Sequence, residues 1–202
     1  VAPQIAKLAP PDCERIQTSS LTLEQILSLM IDRFNKGKRI VRLHDGDPSL
    51  YGAITEQITG LNEEGVDVEV IPGLSAYQAT AAALKTELTI PDITQTIVLS
   101  RASGRTNVPE NERLEKLASI GASLALYLSA RHVKNVEKTL LKYYPPETQV
   151  AIGYRVSWPD EWLKVVPLNQ MASTTKSKGF IRTILYIISP VFNNHKKRSK
   201  LY

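Results

Sequence analysis

Two short segments of this chain combine glycine with small polar side chains in an arrangement suited to ligand binding. They are HDGDPSLYG, residues 44–52, and IPGLSAYQA, residues 71–79. In each, a glycine and then a small polar residue stand at the end of an apolar run that is typical of a strand. Glycine lets the backbone approach a ligand closely, and the carboxyl ends of strands are where open α/β sheets bind ligands. Paired junctions of this form predict one cleft in which backbone groups contact a ligand.

The first junction also has an explanation that needs no ligand. Pro48 suits the first position of a helix, where its missing N–H is no loss. Asp47 is well placed to cap that helix, because its carboxylate can accept from the free N–H groups of the first turn. His44 and Asp45 could form an acid–base pair, but a histidine in a surface turn is the simpler explanation. A plain strand–turn–helix connection is therefore the alternative to a ligand site here.

The motifs of several other chemistries are missing from the sequence. It contains no G-x-G-x-x-G or G-K-[ST] loop to cradle a phosphate and no G-x-S-x-G elbow for a serine hydrolase. Its three histidines have no spacing typical of a metal site, and we predict no metal. With Cys13 as the single cysteine, neither a disulfide framework nor a cysteine-based zinc site is expected, and we predict a reducing, cytoplasmic location.

Composition and charge argue for a globular protein without a membrane or nucleic-acid partner. Hydrophobic residues make up 43% and charged residues 22% of the chain, which is ordinary globular usage, and no run approaches the roughly 20 apolar residues of a membrane helix. The net charge is +5, but it is concentrated in the tail, residues 193–202, which we expect to be disordered and dispensable. Outside this tail the chain is close to neutral, so nucleic-acid binding is not predicted. The basic residues of the tail are Lys196, Lys197, Arg198 and Lys200.

The apolar periodicity predicts two α/β domains, residues 1–90 and 91–192, ahead of the tail. The clearest helix is TLEQILSLMIDRFNKG, which begins with a capping box formed by Thr22 and Gln25. In the first domain, helices alternate with strands, which is the pattern of a parallel sheet. Its strands are predicted at 39–43 and 66–71, and its last helix, rich in small residues, at 75–85.

The second domain is predicted to contain four clear strands and one weaker strand. Helices are expected between the first three strands, because apolar residues there recur at helical spacing. The strands are predicted at 95–100, 122–128, 149–155, 162–167 (the weaker one) and 184–189, and the helices at 109–121 and 130–144.

The two junctions, in this order and spacing, resemble those of the tetrapyrrole methylase family. The resemblance covers residues 1 to about 192 and includes the turns G-D-P-x-x-Y-G and P-G-x-S. It implies an S-adenosylmethionine-dependent methyltransferase of porphyrin metabolism, with two α/β domains, a cofactor cleft between them and a homodimeric assembly. The stretches SRASGRT and YRVSWPDE resemble most the members that methylate precorrin-4, or its cobalt form, at C-11 in cobalamin biosynthesis.

The same resemblance implies binding residues but no catalytic residue. S-adenosylmethionine is already activated by its positive sulfur, and a ring carbon of the tetrapyrrole is the nucleophile, so the protein has to place the two in line and exclude water. Precorrins carry acetate and propionate groups, which arginine binds well. The family mostly has Ser or Thr where this chain has Asp45. The implied cofactor-binding residues are Asp45, Gly46, Asp47, Leu50, Ser75, Ala76, Leu128, Tyr154, Arg155, Arg182 and Thr183, and the candidate substrate-binding residues are Arg101, Arg105, Arg131 and Arg155.

One element of the family pattern is not found in this sequence. The family begins with a strand that leads into a G-x-G-P-G-D-P loop at the cofactor, and no such loop precedes Val1. We therefore expect a first domain that is incomplete at its N-terminus, and a 202-residue chain that is inactive or nearly so by itself. Two alternatives stay open: an inactive or partner-dependent fragment of such an enzyme, or another tetrapyrrole methylase of the uroporphyrinogen III or precorrin-2 type.

Overall fold

The computed structural model describes residues 1–104 and 107–193. By its contacts the chain divides into two compact units, Val1–Ser75 and Ala76–Tyr202. The sequence places a domain boundary near residue 90, and that boundary stays a prediction. The predicted tail lies, apart from its first residue, outside the described residues.

The first unit contains three helices, α1 (Pro3–Ala6), α2 (Leu23–Asn35) and α3 (Ile54–Glu63). The predicted capping box of α2 is confirmed: Gln25 N donates to Thr22 Oγ1 at 3.4 Å, and Thr22 N donates to Gln25 Oε1 at 2.9 Å. Helices α2 and α3 bury a small apolar core between them. It is formed by Ile26, Met30, Leu61 and Val66.

The two strands predicted for this unit are not formed among the described residues. Segments 39–43 and 66–71 take part in no β-ladder, and apolar side chains in them lie in solvent, with Val41 74% and Ile71 66% exposed. The strand prediction is therefore wrong for both segments. An apolar, β-branched run indicates a preference for extended backbone, whereas a strand also needs a neighbour to satisfy its N–H and C=O groups.

The second unit is built on one five-stranded sheet with the order β1-β2-β5-β3-β4. Neighbours β1 and β2 are parallel, and the other three pairs are antiparallel. All five strands predicted for this part of the chain are confirmed, as is the α/β class. Their bounds are β1 Ile97–Arg101, β2 Ser123–Tyr127, β3 Gln149–Tyr154, β4 Trp162–Pro167 and β5 Ile184–Ile188.

Helices in the second unit cover the sheet, which buries side chains on both faces. Leu124, Val150 and Tyr186 belong to one core cluster, whereas Ala125 and Ile187 belong to another. This alternation explains why the central strands are apolar at nearly every position. The helices are α4 Ala76–Ala83, α5 Leu114–Ala118, α6 Val133–Leu140 and α7 Met171–Ser177, with 3₁₀ turns at Glu110–Glu112, Ala130–His132, Leu168–Gln170 and Pro190–Asn193.

Helix α4 lies close against the sheet, as its small residues predict. A Cβ built on Gly153 of β3 would be 3.0 Å from Thr80 Oγ1, and Thr80 is fully buried. Only glycine at position 153 allows the helix to approach so closely. Among the described residues, no helix is long and apolar enough to cross a membrane.

Candidate functional site

The two glycine junctions meet in the first unit, and the carboxylate of Asp47 joins them. One of its oxygens, Oδ2, accepts from the backbone N–H of Gly73 at 2.9 Å. The other, Oδ1, accepts from the N–H of Ser49 at 2.8 Å and from the Ser49 hydroxyl. The backbones also touch, since a Cβ built on Gly73 would lie under 3.0 Å from the carbonyl oxygen of Gly46. The structure thus brings Gly46 and Asp47 of the first junction against the second junction.

Asp47 does not cap a helix, contrary to the sequence prediction. Residues 48–51 form a turn in which Leu50 N donates to Asp47 O at 3.2 Å, and α3 begins only at Ile54. The side chain stabilises this turn in place of a helix. Hydrogen bonds from the Ser49 hydroxyl, then from the N–H groups of Gly73 and Ser49, hold the pKa of Asp47 below its usual value. At neutral pH the group is therefore a carboxylate, which can only accept.

The turn after Pro48 has an unusual backbone. Tyr51 and Ala53 have φ angles of 58° and 50°, which side-chain-bearing residues seldom adopt. Between them, a Cβ on Gly52 would lie under 3.0 Å from the carbonyl oxygen of Pro48. The spacing P-x-x-Y-G in this motif therefore reflects a tightly folded turn, which only a glycine at position 52 permits.

The remaining predicted residues of the first unit lie around this turn. Asp45 is about half exposed, with its carboxylate 3.9 Å from the amino group of Val1. Ser75 is almost fully buried, and Leu50 is half-buried. Burial, and then the nearby charge of Arg42, lower the pKa of His44, which favours its neutral form. Neither His44 nor Asp45 has a hydrogen bond to the other in the described structure, so an acid–base pair is not formed there.

Three further predicted positions share one edge of the sheet in the second unit. Leu128 follows β2, Arg155 follows β3, and Thr183 precedes β5. Because β5 runs antiparallel to both β2 and β3, these positions lie at the same edge. The Arg155 N–H donates to the Thr183 carbonyl at 3.1 Å.

Helix α4 begins at this same edge. Its Tyr77 N–H donates to the hydroxyl oxygen of Tyr127 at 3.3 Å, and Tyr127 is the last residue of β2. Ala76 and Leu128, both predicted cofactor-binding residues, are the sequence neighbours of these two tyrosines. The contact therefore brings the two predicted positions to one place in the second unit.

The residues at this edge have a strained backbone. The φ angles are 52° at Leu128, 46° at Arg155, 58° at Thr183 and 73° at Ser157. A non-glycine residue in this region costs about 1–3 kcal/mol, and such residues concentrate at binding sites. Thr183 is β-branched, which makes its conformation the least expected of the four. No sequence pattern signals these angles, so sequence reasoning could not have found this feature.

Replacing Leu128 with glycine is expected to raise the free energy of unfolding by about 1 kcal/mol, because it relieves the left-handed strain. The side chain is 67% exposed, so little packing is lost. Urea denaturation would measure the change. A matched control is Ile120→Gly, also at an exposed position (57%) but without a positive φ, which should lose stability. Equal losses in both variants would contradict the prediction.

Arg155 is held in place from several sides. Its guanidinium carbon lies 5.1 Å from the ring centre of Tyr154 and 5.0 Å from that of Trp158. Its Nη1 donates to Asp160 at 2.6 Å, and its Nε is buried without a hydrogen-bond partner among the described residues. The Tyr154 ring in turn stacks on Phe180, with centres 4.0 Å apart. A guanidinium fixed in this way is ready to bind a carboxylate with little further loss of entropy.

Sequence reasoning missed the supporting residues of Arg155. Trp158 and Asp160 lie in the quoted stretch YRVSWPDE, so their spacing from Arg155 was an available signal. Phe180 is 25 residues away from Arg155 in sequence and had no such signal. The contact between Tyr154 and Phe180 depends on how β3 and the loop before β5 pack.

The other predicted basic residues have varied surroundings. Arg101 ends β1, and its Nη2 donates to the carbonyl of Asn107 at 3.2 Å. Arg131 and Arg182 are exposed, and Arg105 lies outside the described residues. Since β1 is parallel to β2, Arg101 lies at the same edge of the sheet as Leu128. In the described ranges, no group of three or more His, Cys, Asp or Glu side chains could hold a metal ion.

Comparison with known proteins gives consistent matches over most of the chain. The profile of the family described as Tetrapyrrole (Corrin/Porphyrin) Methylases matches residues 2–172. The chain is 42% identical over 193 residues to a cobalt-precorrin-4 C(11)-methyltransferase of Methanocaldococcus jannaschii, covering 95% of this chain and 74% of that protein. A protein of the same name from Priestia megaterium is 40% identical, covering 98% of this chain and 78% of its own. The X-ray structure of a cobalt precorrin-4 methyltransferase superposes with a TM-score of 0.89 at 38% identity, covering 94% of this chain and 80% of that one.

Proposed function

This chain belongs to the tetrapyrrole methylase family, and we propose that it transfers a methyl group from S-adenosylmethionine to C-11 of precorrin-4 or cobalt-precorrin-4, giving the precorrin-5 form in cobalamin biosynthesis. The observation that carries this proposal is the extent of the similarity. Identity of about 40% runs through 95% or more of the chain and includes both described units. A shared fold alone would support many functions, but similarity to relatives of one name over such a length supports one reaction.

We propose that S-adenosylmethionine is the cofactor and that it supplies a methyl group on a positively charged sulfur. Its first group of binding residues is the junction cluster around Asp47, where backbone atoms are exposed by the lack of side chains at Gly46 and Gly73. Its second group lies at the strained edge of the second unit. The proposed residues are Asp45, Gly46, Asp47, Leu50, Ser75, Ala76, Leu128, Tyr154, Arg155, Arg182 and Thr183.

Two features of the junction cluster fit such a cofactor. Gly46 and Gly73 are exposed and have no side chain, so a ligand can approach the backbone closely at these positions. The carboxylate of Asp45 adds negative charge, which favours a sulfonium cation over a neutral sulfur. The chain itself would orient the cofactor and keep water away from the reacting groups.

The tetrapyrrole substrate is proposed to bind through arginines at the edge of the sheet in the second unit. Arg155 is the strongest candidate, because its guanidinium is already oriented by two rings and one carboxylate. Arg101 lies at the same edge, and Arg131 is exposed in the turn after β2. Bidentate contacts from these groups to acetate and propionate side chains would select the orientation of the ring. Arg105 stays a candidate on the sequence alone.

The function is tested with labelled S-adenosylmethionine and a set of tetrapyrroles. The protein expressed from its complete reading frame is incubated with precorrin-4, cobalt-precorrin-4, precorrin-2 and uroporphyrinogen III in separate reactions. We expect one methyl group at C-11 of precorrin-4 or its cobalt form, located by NMR of the product. Labelling of uroporphyrinogen III or precorrin-2 alone would reject the proposed substrate and favour the other branches of the family.

Two further proposals concern the protein in the cell. By resemblance to the family we propose a homodimer, which sedimentation or light scattering would measure. A cytoplasmic location is proposed because the chain has a single cysteine, Cys13, which is exposed and unpaired. An exposed thiol of this kind suits a reducing compartment.

A further inference from the structure

We propose that Asp47 is a positioning residue, whose carboxylate sets the distance between the two glycine junctions and so determines cofactor affinity without contacting the reacting groups. This inference rests on the proposed use of S-adenosylmethionine. It assigns Asp47 a role that differs from that of a direct cofactor ligand. The geometry of the two junctions supports it.

The two oxygens of the Asp47 carboxylate accept hydrogen bonds from different junctions. Oδ1 accepts twice from Ser49 and so holds the turn of the first junction, while Oδ2 accepts from the Gly73 N–H of the second junction, 26 residues further along the chain. All three donors face acceptor lone pairs, as a carboxylate requires. An asparagine would present an NH₂ group to one of these donors, so the amide cannot replace the acid.

Gly73 makes the complementary contact. It has no side chain, and its backbone packs directly on the Gly46 carbonyl and the Asp47 Cα. The hydrogen bond holds the two junctions together, and the van der Waals contact between Gly73 and Gly46 limits how closely they approach. Together the two contacts determine the distance between the junctions. Any side chain at position 73 would force them apart even though the carboxylate is still present.

We call the Asp47–Gly73 hydrogen bond, together with the contact between Gly73 and the Gly46 carbonyl, the clamp. It joins two junctions that are 26 residues apart in the chain. Removing it should therefore change the distance between the backbone atoms that the cofactor would contact.

The inference is tested with four variants of the protein, each expressed from the complete reading frame, and a ligand that cannot react. Calorimetric titration with S-adenosylhomocysteine measures affinity, and thermal melting of the ligand-free protein measures stability. Asp47→Asn and Gly73→Ala should each weaken binding about tenfold or more, the effect of losing one charge-assisted hydrogen bond. Asp47→Glu keeps the charge but changes the reach, and it should behave like Asp47→Asn. Asp67→Asn, at an exposed carboxylate of the same unit, is the control and should bind as the unmodified protein does.

Several outcomes would overturn the inference. Unchanged affinity in Asp47→Asn with a lowered melting temperature would make Asp47 purely structural. Lost affinity in Asp47→Asn with normal affinity in both Asp47→Glu and Gly73→Ala would make it a direct ligand for the cofactor charge.

A second measurement needs no cofactor. Amide exchange of Gly73 in the ligand-free protein should be faster in Asp47→Asn than in Asp67→Asn, and equal rates would exclude the clamp itself. If the unmodified protein from the complete reading frame fails to bind S-adenosylhomocysteine while Gly73 is protected by Asp47, the proposed function is rejected and the clamp is kept.

Discussion

Replacing Gly52 with alanine is expected to lower the free energy of unfolding by about 3 kcal/mol, at the upper end of the usual range for one substitution. The new Cβ would lie under 3.0 Å from the carbonyl oxygen of Pro48. This oxygen is part of the backbone, and the proline ring restricts its movement. The neighbours Tyr51 and Ala53 already have φ angles of 58° and 50°, so the turn has no relaxed alternative nearby.

A second glycine in the same unit serves as the control for Gly52. Gly65 has a φ of +72° and nothing within 4 Å of a Cβ built on it, so Gly65→Ala should lose only about 1 kcal/mol from backbone strain. Urea denaturation of both variants separates the steric cost from the conformational cost. A loss of stability in Gly52→Ala no larger than that in Gly65→Ala would contradict the expected steric clash with the Pro48 carbonyl.

Replacing Arg155 with alanine is expected to weaken binding of the tetrapyrrole about 10- to 100-fold. A hydrogen bond to a charged group contributes about 1.5–3 kcal/mol, and 1.4 kcal/mol is about tenfold in affinity. Arg155→Lys should not restore it, because an ammonium group lacks the planar, bidentate geometry. Removing the guanidinium also leaves Asp160 without its partner at 2.6 Å.

Two titrations measure how Arg155→Ala changes the affinity for the substrate and, separately, the affinity for the cofactor. Absorbance titration gives the affinity for the tetrapyrrole, and calorimetry gives the affinity for S-adenosylhomocysteine. Lys164→Ala, an exposed cation in the middle of β4, is the matched control and should change neither. A loss confined to S-adenosylhomocysteine would assign Arg155 to the cofactor alone, and no loss of either would remove it from the site.

The second unit shows where sequence patterns predict structure well. Strand β5 reads ILYII and is buried at every position, and its apolar run correctly predicted a strand. Likewise, the capping box of α2 is a local hydrogen-bond pattern, which can be predicted from residue types three positions apart. In both cases, the sequence pattern and the structural feature that it predicts involve residues only a few positions apart.

The first unit shows where the same reasoning failed. The strands predicted at 39–43 and 66–71 are not formed in the described structure, and the predicted helix cap at Asp47 is a turn. Whether an extended segment becomes a strand depends on a partner elsewhere in the chain. Likewise, whether an aspartate caps a helix or a turn depends on where the following residues pack.

The sequence by itself determined the family of this protein, its α/β class and the two junctions at Gly46 and Gly73, because these depend on residue types at short spacing. Only the tertiary structure decided that Asp47 binds the N–H of Gly73, 26 residues away, and that Phe180 stacks beneath Tyr154. It also decided the left-handed backbone of Leu128, Arg155 and Thr183. Such strain is opposed by the local preference of each residue, so it exists only where the packing of the whole sheet imposes it.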